Sequence, residues 1–345
     1  MVSFLGFRLL YLKEKKLKST QSLTVSNIKE ETLNSVVISF KIPSSLKSQY
    51  AFKAGQYLTL SSNISGEKVK RSYSICSSPQ SQDLQVGVKA IENGVFSNYV
   101  NDALREGDSI EVSVPEGRFI LEDNPSANYC AFVAGSGITP LMSIVSDVLA
   151  KNETGVFVLG YGNKTKASTM FTGAIEELKS IYPKRFYCYN IYSKENNPEA
   201  TFGRIDSDFI SYILKQHSET KFEKILLCGP EKMIETGKET LEKANYPKDK
   251  VLYELFYSKP VSKNNDNGNG SSAKIIYDEE TLDLDIPEKM TILDAALQKN
   301  IDVPYSCQGG VCSSCIAKIK SGSATMIQNN ILTDSEVEEG LVLTC

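Results

Sequence analysis

His217 is the single histidine among 345 residues, and tryptophan is absent. Chemistry built on several histidines is therefore excluded, most zinc hydrolase sites among it. His217 sits in the polar run 215–219, where a surface position is expected rather than a place in a catalytic triad. No apolar run approaches the roughly 18 residues that a membrane span needs. Excess positive charge is also missing: the net charge of −4 argues against nucleic acid as a partner. The apolar stretch 1–12 precedes Lys13, Lys15, Lys16 and Lys18, the reverse of the order in a secretory signal. A cytoplasmic location is expected. Residues 1–20 read as an extension, either frayed or a short amphipathic helix touching a membrane or partner.

What is present describes a multidomain globular chain. Its length exceeds one hydrophobic core, and its 41% hydrophobic and 23% charged residues rule out disorder of the whole. Charge is uneven: from Lys274 onward there are 12 acidic residues and 5 lysines. Such a tail either keeps the chain soluble or docks a basic partner. The stretch 258–272 is rich in Asn, Gly and Ser without apolar periodicity, which predicts a linker. Before it, runs at 35–42, 56–60, 84–91 and 109–114 carry the signature of short strands and predict an antiparallel barrel. From residue 129 the rhythm alternates strand and helix, which predicts parallel βαβ units.

The strongest motif is Cys307-x4-Cys312-x2-Cys315, with Cys345 after a further 29 residues. This is the plant-type spacing of a 2Fe-2S cluster. Gly309 and Gly310 let the backbone fold closely about the metal, so that amides point at sulfur. A structural zinc site is the alternative, but its ligands usually come as two short pairs rather than three plus one. Cys76, Cys130 and Cys188 read as core thiols. The segment 291–297 reads as the helix that packs under the cluster domain's sheet.

A second constellation suits a flavin. Arg71, Tyr73 and Ser74 lie at strand spacing and offer a guanidinium for phosphates, a flat aromatic and a hydroxyl near N5. Gly94, Val95, Phe96 and Ser97 open a helix whose first amides suit a pyrophosphate, which favours FAD over FMN.

A third suits a nicotinamide nucleotide. Gly135, Ser136, Gly137, Ile138, Thr139 and Pro140 follow a strand, and the two glycines permit a tight turn with Pro140 at the first helical position. After the next strand no acid appears until Glu176, whereas Lys164, Lys166, Ser168 and Thr169 offer cations and hydroxyls. That composition suits a 2′-phosphate and points to NADPH. Cys228, Gly229, Pro230 and Met233 follow a later strand, with Cys228 expected against the nicotinamide.

Together these motifs resemble the ferredoxin–NADP reductase superfamily, and within it the reductase components of multicomponent oxygenases. The resemblance runs from about residue 20 to Cys345. It is carried by residues 71–74, by the run 88–97 with Val88 and Lys89, by 134–140, and by the stretch 161–164 with Gly162 and Asn163. The stretch 203–206, residues 228–230, Glu254, Phe256 and the cysteine set complete it. It implies an FAD-binding barrel at 21–125, an NADP-binding α/β domain at 126–257, a linker at 258–273 and an α+β ferredoxin β-grasp domain at 274–345. It also implies that Thr139 and Cys228 place the nicotinamide, with Ser74, Cys228 and Glu254 as catalytic residues and Phe256 near the flavin. The implied activity takes a hydride from NADPH to FAD and passes electrons singly through the cluster to a redox partner. That partner is an oxygenase, hydroxylase, desaturase or ferredoxin. Lys164 stands where the family usually has arginine. The sequence stops at Cys345, where the family continues into a closing strand, so either a truncated domain or a fragile cluster is expected. The alternatives are an FMN- and NADH-dependent dioxygenase reductase of the same domain order and a non-enzymatic redox sensor.

Overall fold

The fold comes from a computed structural model that describes residues 8–12, 20–256, 270–277, 280–288, 290–299, 301 and 303–345. The chain divides into two compact units. One is 20–256; the other joins 1–19 to 257–345. Strand β1 (Arg8–Leu12) belongs to the second.

The first unit opens with six antiparallel strands: β2 (Thr20–Thr32), β3 (Ser35–Lys41), β4 (Tyr57–Ile64), β5 (Glu67–Ser74), β6 (Leu84–Lys89) and β7 (Ser109–Ser113). Their order is β5-β4-β7-β2-β3-β6, and a bridge between Ile75 and Val86 brings the two edges together as a half-barrel. Alternation makes the inner face: Val36, Ile38 and Phe40 of β3 meet Leu84, Val86 and Val88 of β6 in one buried cluster. The helix α1 (Val95–Asp102) plugs this core with Phe96 and Val100. The Tyr50 hydroxyl, buried at the same core, donates to the Val112 carbonyl at 2.8 Å.

The chain then enters a parallel sheet. Its elements are β8 (Asn128–Ala134), α2 (Ile138–Lys151), β9 (Phe157–Asn163), α3 (Thr172–Ile181), β10 (Phe186–Tyr192), β11 (Thr201–Phe202), α4 (Ser207–Gln216), β12 (Phe222–Gly229), α5 (Glu231–Lys243) and β13 (Val251–Leu255). The order β11-β10-β9-β8-β12-β13 places the first strand centrally, so the winding reverses between β8 and β12. A crevice beyond the carboxyl ends of these two strands is where such sheets hold ligands. The middle strands are buried on both faces, as their continuous apolar runs require.

The second unit contains β14 (Ser271–Tyr277), β15 (Glu280–Ile286), α6 (Ile292–Gln298), β16 (Ile316–Ser321), α7 (Asp334–Glu338) and β17 (Leu341–Leu343). Thr291 caps α6 and shares a reciprocal bond pair with Asp294. The sheet order is β15-β14-β1-β16-β17. Ala273, Ile275, Leu284, Leu293, Ala317 and Val342 form its core.

Three readings of the sequence change. Residues 8–12 form a strand rather than a helix or a frayed end. The linker lies mostly outside the described residues, and its last three positions, Ser271, Ser272 and Ala273, already belong to β14. His217 is half-buried rather than on the surface: its Nε2 lies 2.9 Å from the Tyr189 hydroxyl, and Tyr187 stands edge-on to its ring. Burial there lowers the imidazole's pKa.

Candidate functional site

In the first unit the candidate residues gather around the carboxyl ends of β8, β12 and β13 and along β5, β6 and α1. The β8–α2 turn carries Gly135, Ser136, Gly137, Ile138 and Thr139. It runs so close to β12 that a Cβ on Gly137 would lie 2.3 Å from the Cys228 carbonyl oxygen and 3.2 Å from its Sγ. Only glycine fits there. Pro140 is the third residue of α2, not the first, still within the turn whose amides have no helical partner. The Thr139 hydroxyl closes the turn by donating to the Ser136 carbonyl at 3.0 Å.

Parallel pairing sets Cys228 directly beside Glu254. Cys228 is fully buried, and burial, with the Glu254 charge added, pushes its thiol well above the ordinary value. Glu254 as a whole residue is only partly covered, yet its Oε2 is shut from solvent and has no hydrogen-bond partner. Burial raises its carboxyl to about 8, so the group holds a proton at neutral pH. Gly229 and Pro230 follow, and Met233 returns over Gly229 from α5. Phe256, just past β13, keeps 38% of its surface exposed. At the tip of β9, Gly162 is buried, and the side-chain amide Nδ2 of Asn163 is a second buried donor lacking an acceptor. These two orphaned polar groups lie toward the ends of β9 and β13, on either side of the β8–β12 switch point, and are what a site fitted to a polar ligand leaves behind.

On the barrel side, Tyr73 and Phe96 stand with ring centroids 5.9 Å apart. Burial raises the Tyr73 phenol, against the pull of the Arg71 charge. Ser74 is buried at the end of β5, while Arg71 is exposed, with its Nη1 donating to the Lys70 carbonyl at 2.7 Å. Gly94 is the N-cap of α1, with no side chain capping the helix. A Cβ there would strike Ser97 Oγ and Ile91 Cγ1, each at 2.4 Å. Val95 is exposed, and Ser97 is buried with its hydroxyl accepting the Ile91 amide. The amides of the first turn are thus left for an anion.

The barrel and the parallel sheet are joined by specific bonds. Glu31 of β2 accepts the Phe171 amide at 2.7 Å, and Ser143 of α2 donates to the buried Ser77 carbonyl at 2.6 Å. Lys89, next to Val88 on β6, donates from Nζ to the Ser168 carbonyl at 3.1 Å. Burial lowers its pKa, and the charge of Lys164 lowers it further. Two ammonium groups sharing one edge of the cleft make a site for an anion.

The phosphate set read from sequence is only partly assembled. Lys164 is exposed, but Lys166 pairs with Glu199 at 3.0 Å, and its amide donates to Glu195 at 2.8 Å. The Ser168 and Thr169 hydroxyls are taken up by the Thr165 carbonyl. Glu195 and Glu199 were missed because they approach from beyond β10, and no local signal ties them to Lys166. Glu31, Lys166, Thr169, Gly173 and Glu195 line an open cavity of about 530 Å³. A second cavity of about 360 Å³ lies beyond β10 and β11, between Phe202, Arg204 and Tyr212.

In the second unit the four cysteines come together. Cys315 Sγ lies 3.3 Å from Cys345 Sγ, and Cys307 contacts both Cys312 and Cys345. The contacts join all four thiols: 307 meets 312, 315 meets 345, and 307 with 345 links the two pairs. No three His, Cys, Asp or Glu groups among the described residues surround a single ion. Two adjoining thiol pairs suit a two-iron group better than one zinc. The Gly309 amide donates to Cys307 Sγ at 3.4 Å and the Gly310 amide to Cys345 Sγ at 3.3 Å. Contacts with Cys312 and Cys345, then the Gly309 and Val311 amides, hold Cys307 well below the ordinary thiol value. A pocket of converging thiols and inward amides fits an anionic iron–sulfur cluster.

A half-barrel with an uncapped helix, a parallel sheet with orphaned polar groups flanking its switch point and a three-cysteine loop met by Cys345 define a flavin-dependent pyridine-nucleotide reductase with its own iron–sulfur unit. The family described as "Oxidoreductase FAD-binding domain" matches residues 22–120, "Oxidoreductase NAD-binding domain" residues 132–239, and "2Fe-2S iron-sulfur cluster binding domain" residues 275–345. The chain belongs to the ferredoxin–NADP reductase superfamily. It is 35% identical over 333 residues to a subunit of the 1,2-phenylacetyl-CoA epoxidase of Escherichia coli (strain K12), covering 94% of this chain and 93% of that protein. It is 32% identical to the ferredoxin reductase component of 3-ketosteroid-9-alpha-monooxygenase from Rhodococcus rhodochrous, covering 94% and 92%. Among solved structures, an intact type IV self-sufficient cytochrome P450 monooxygenase superposes with a TM-score of 0.73 at 21% identity, over 94% of this chain and 39% of that one. The chain is therefore an NAD(P)H oxidoreductase that uses FAD and a 2Fe-2S cluster. Among the described residues no helix is long and apolar enough to cross a membrane.

Proposed function

We propose that this chain is the reductase component of a multicomponent oxygenase, taking electrons from NADPH and delivering them singly to a separate oxygenase of the phenylacetyl-CoA epoxidase kind. The observation that carries the reading is the set of three sites on one chain: the Arg71–Tyr73–Ser74 strand, the Gly137–Cys228–Glu254 crevice and the paired thiols. The likeness to an epoxidase subunit and to a monooxygenase's reductase component, each over 94% of the chain, supports it. The domain limits 21–125, 126–257 and 274–345 go with this reading. So does a cytoplasmic location, which suits eight free thiols.

When bound, FAD takes electrons in pairs and releases them singly, and the cluster carries one at a time. The chain's own residues orient and seal. Arg71 and the first amides of α1 would hold the flavin's pyrophosphate, and Tyr73 and Ser74 would hold its ring. Gly137 lets the turn that would hold the nucleotide lie against Cys228, whose uncharged thiol would pack beside the nicotinamide. Glu254 holds its proton on a carboxyl shut from solvent, so no buried negative charge opposes the ligand. Lys89 and Lys164 would hold the nucleotide's phosphates. NADH remains the second reading, because Glu195 and Glu199 neutralise Lys166 on the side where a 2′-phosphate would sit.

The test is a visible spectrum of purified protein before and after anaerobic NADPH. Flavin bands with a broad iron–sulfur shoulder, both bleaching, are expected. A protein that fails to oxidise NADPH or NADH with cofactors restored would overturn the reading.

A further inference from the structure

The middle of the cluster unit's sheet is filled by a strand from the far side of the sequence. β1 is paired on both edges, while the other four strands of its sheet all lie beyond residue 270. On one edge it runs parallel to β14, with Arg8, Leu9, Leu10 and Tyr11 opposite Ala273, Lys274, Ile275 and Ile276. On the other it runs antiparallel to β16, from Leu9 opposite Ser321 to Leu12 opposite Ala317, with an irregularity between Leu9 and Leu10. Within the sheet, β1 is the link between two halves.

The halves carry different parts of the thiol set. β16 starts directly after Cys315 and pairs with β17, which ends two residues before Cys345. The Thr344 amide donates to the Cys315 carbonyl at 3.1 Å, which fixes these two ligands to each other. The other half is the β14–β15 hairpin with α6 packed on it, and the loop bearing Cys307 and Cys312 follows α6. Apart from β1, the halves are joined by core packing, by the Leu293 amide bonded to the Thr344 carbonyl at 2.9 Å, and by contacts in the ligand loop itself. A sheet divided at its centre leaves two rows of backbone donors and acceptors without partners.

We propose that the groove between β14 and β16 is a strand-acceptor site whose occupant is the chain's own residues 8–12, and that this strand retains the 2Fe-2S cluster by holding the two thiol pairs together. It is strand addition within one chain. Residues 8–12 then serve the metal without touching it. The inference rests on the cluster reading above.

The experiment uses the full chain with its cofactors. Leu10→Pro removes a backbone donor from the strand's centre, and Lys16→Pro, outside the strand, is the control. Release of iron to a chelator, followed at the cluster's visible bands, is expected to be on the order of tenfold faster in Leu10→Pro and unchanged in Lys16→Pro. The flavin-to-protein ratio and NADPH–ferricyanide turnover should match the parent in both. Equal iron release from Leu10→Pro and parent would overturn the proposal. A second readout needs no variant: amide exchange of the intact chain should show residues 9–12 protected in the same slow class as 273–276 and 317–320. Residues 9–12 exchanging as free chain while their partners stay protected would also overturn it. Parent protein lacking iron and acid-labile sulfide would refute the cluster reading and, with it, the retention role, while exchange would still decide the strand.

Discussion

Gly137, in the turn after β8, meets Cys228, near the end of β12, only in space, and a methyl group on the glycine would sit 2.3 Å from the cysteine's carbonyl oxygen. The turn that meets the nucleotide is thus seated directly on the strand tip that carries the buried thiol. Gly137→Ala must push the β8–α2 turn off β12. Its NADPH–ferricyanide kcat/KM is expected to fall by about a hundredfold, as for other misplacements near 1 Å, with the flavin-to-protein ratio unchanged. Loss of flavin along with activity would show that the barrel had been disturbed as well.

Glu254 gives a pH dependence whose sign follows from its burial. The carboxyl titrates near 8 when folded, against 4.5 for the free group. The folded state therefore keeps a proton that the unfolded chain gives up. This contribution to stability is fully present below about 4.5, diminishes as pH rises, and is lost once pH passes about 8. In Glu254→Gln the fall in melting temperature between those limits should flatten. NADPH oxidation should stay near the parent rate at pH 7, and its decline as pH passes about 8 should flatten too. An unchanged pH profile in the variant would place the titration elsewhere.

Coenzyme preference tests the phosphate site. Lys164→Ala should lower kcat/KM for NADPH by about tenfold and for NADH much less. Glu199→Gln releases Lys166 from its ion pair and should raise the NADPH-to-NADH ratio about threefold. If Lys164→Ala weakens both coenzymes equally, Lys164 contacts a phosphate they share.

Cys345→Ser removes one thiol from the pair it forms with Cys315. The visible iron–sulfur shoulder and reduction of cytochrome c should each fall by more than about tenfold. Ferricyanide, which the flavin reduces directly, should be reduced at the parent rate. A variant that loses both reactions equally would mean that ferricyanide also draws its electrons through the cluster.

Much of this protein was legible as sequence because its motifs are local. Three cysteines within nine residues announce their own loop, and alternation along 35–42 and 84–91 becomes the inner face of the half-barrel. The Gly135–Thr139 turn follows its strand as the βα rhythm requires. Residue types and spacing alone determined the domain order and the cofactor classes, since each depends on neighbours a few positions apart. Pro140 falls two places inside its helix because a pattern marks a helix start only to within a turn.

Tertiary structure alone decided the rest. Lys166 looked like a phosphate ligand until Glu195 and Glu199 arrived from beyond the next strand. The raised carboxyl of Glu254 depends on its register beside Cys228 and on burial, neither of which has a signature along the chain. Residues 8–12 read as a loose end, yet they pair at the centre of a sheet built from residues 271–343. The reason is the same in each case. Spacing encodes contacts between near neighbours, whereas ion pairs, strand order and desolvation arise between segments that only folding brings together.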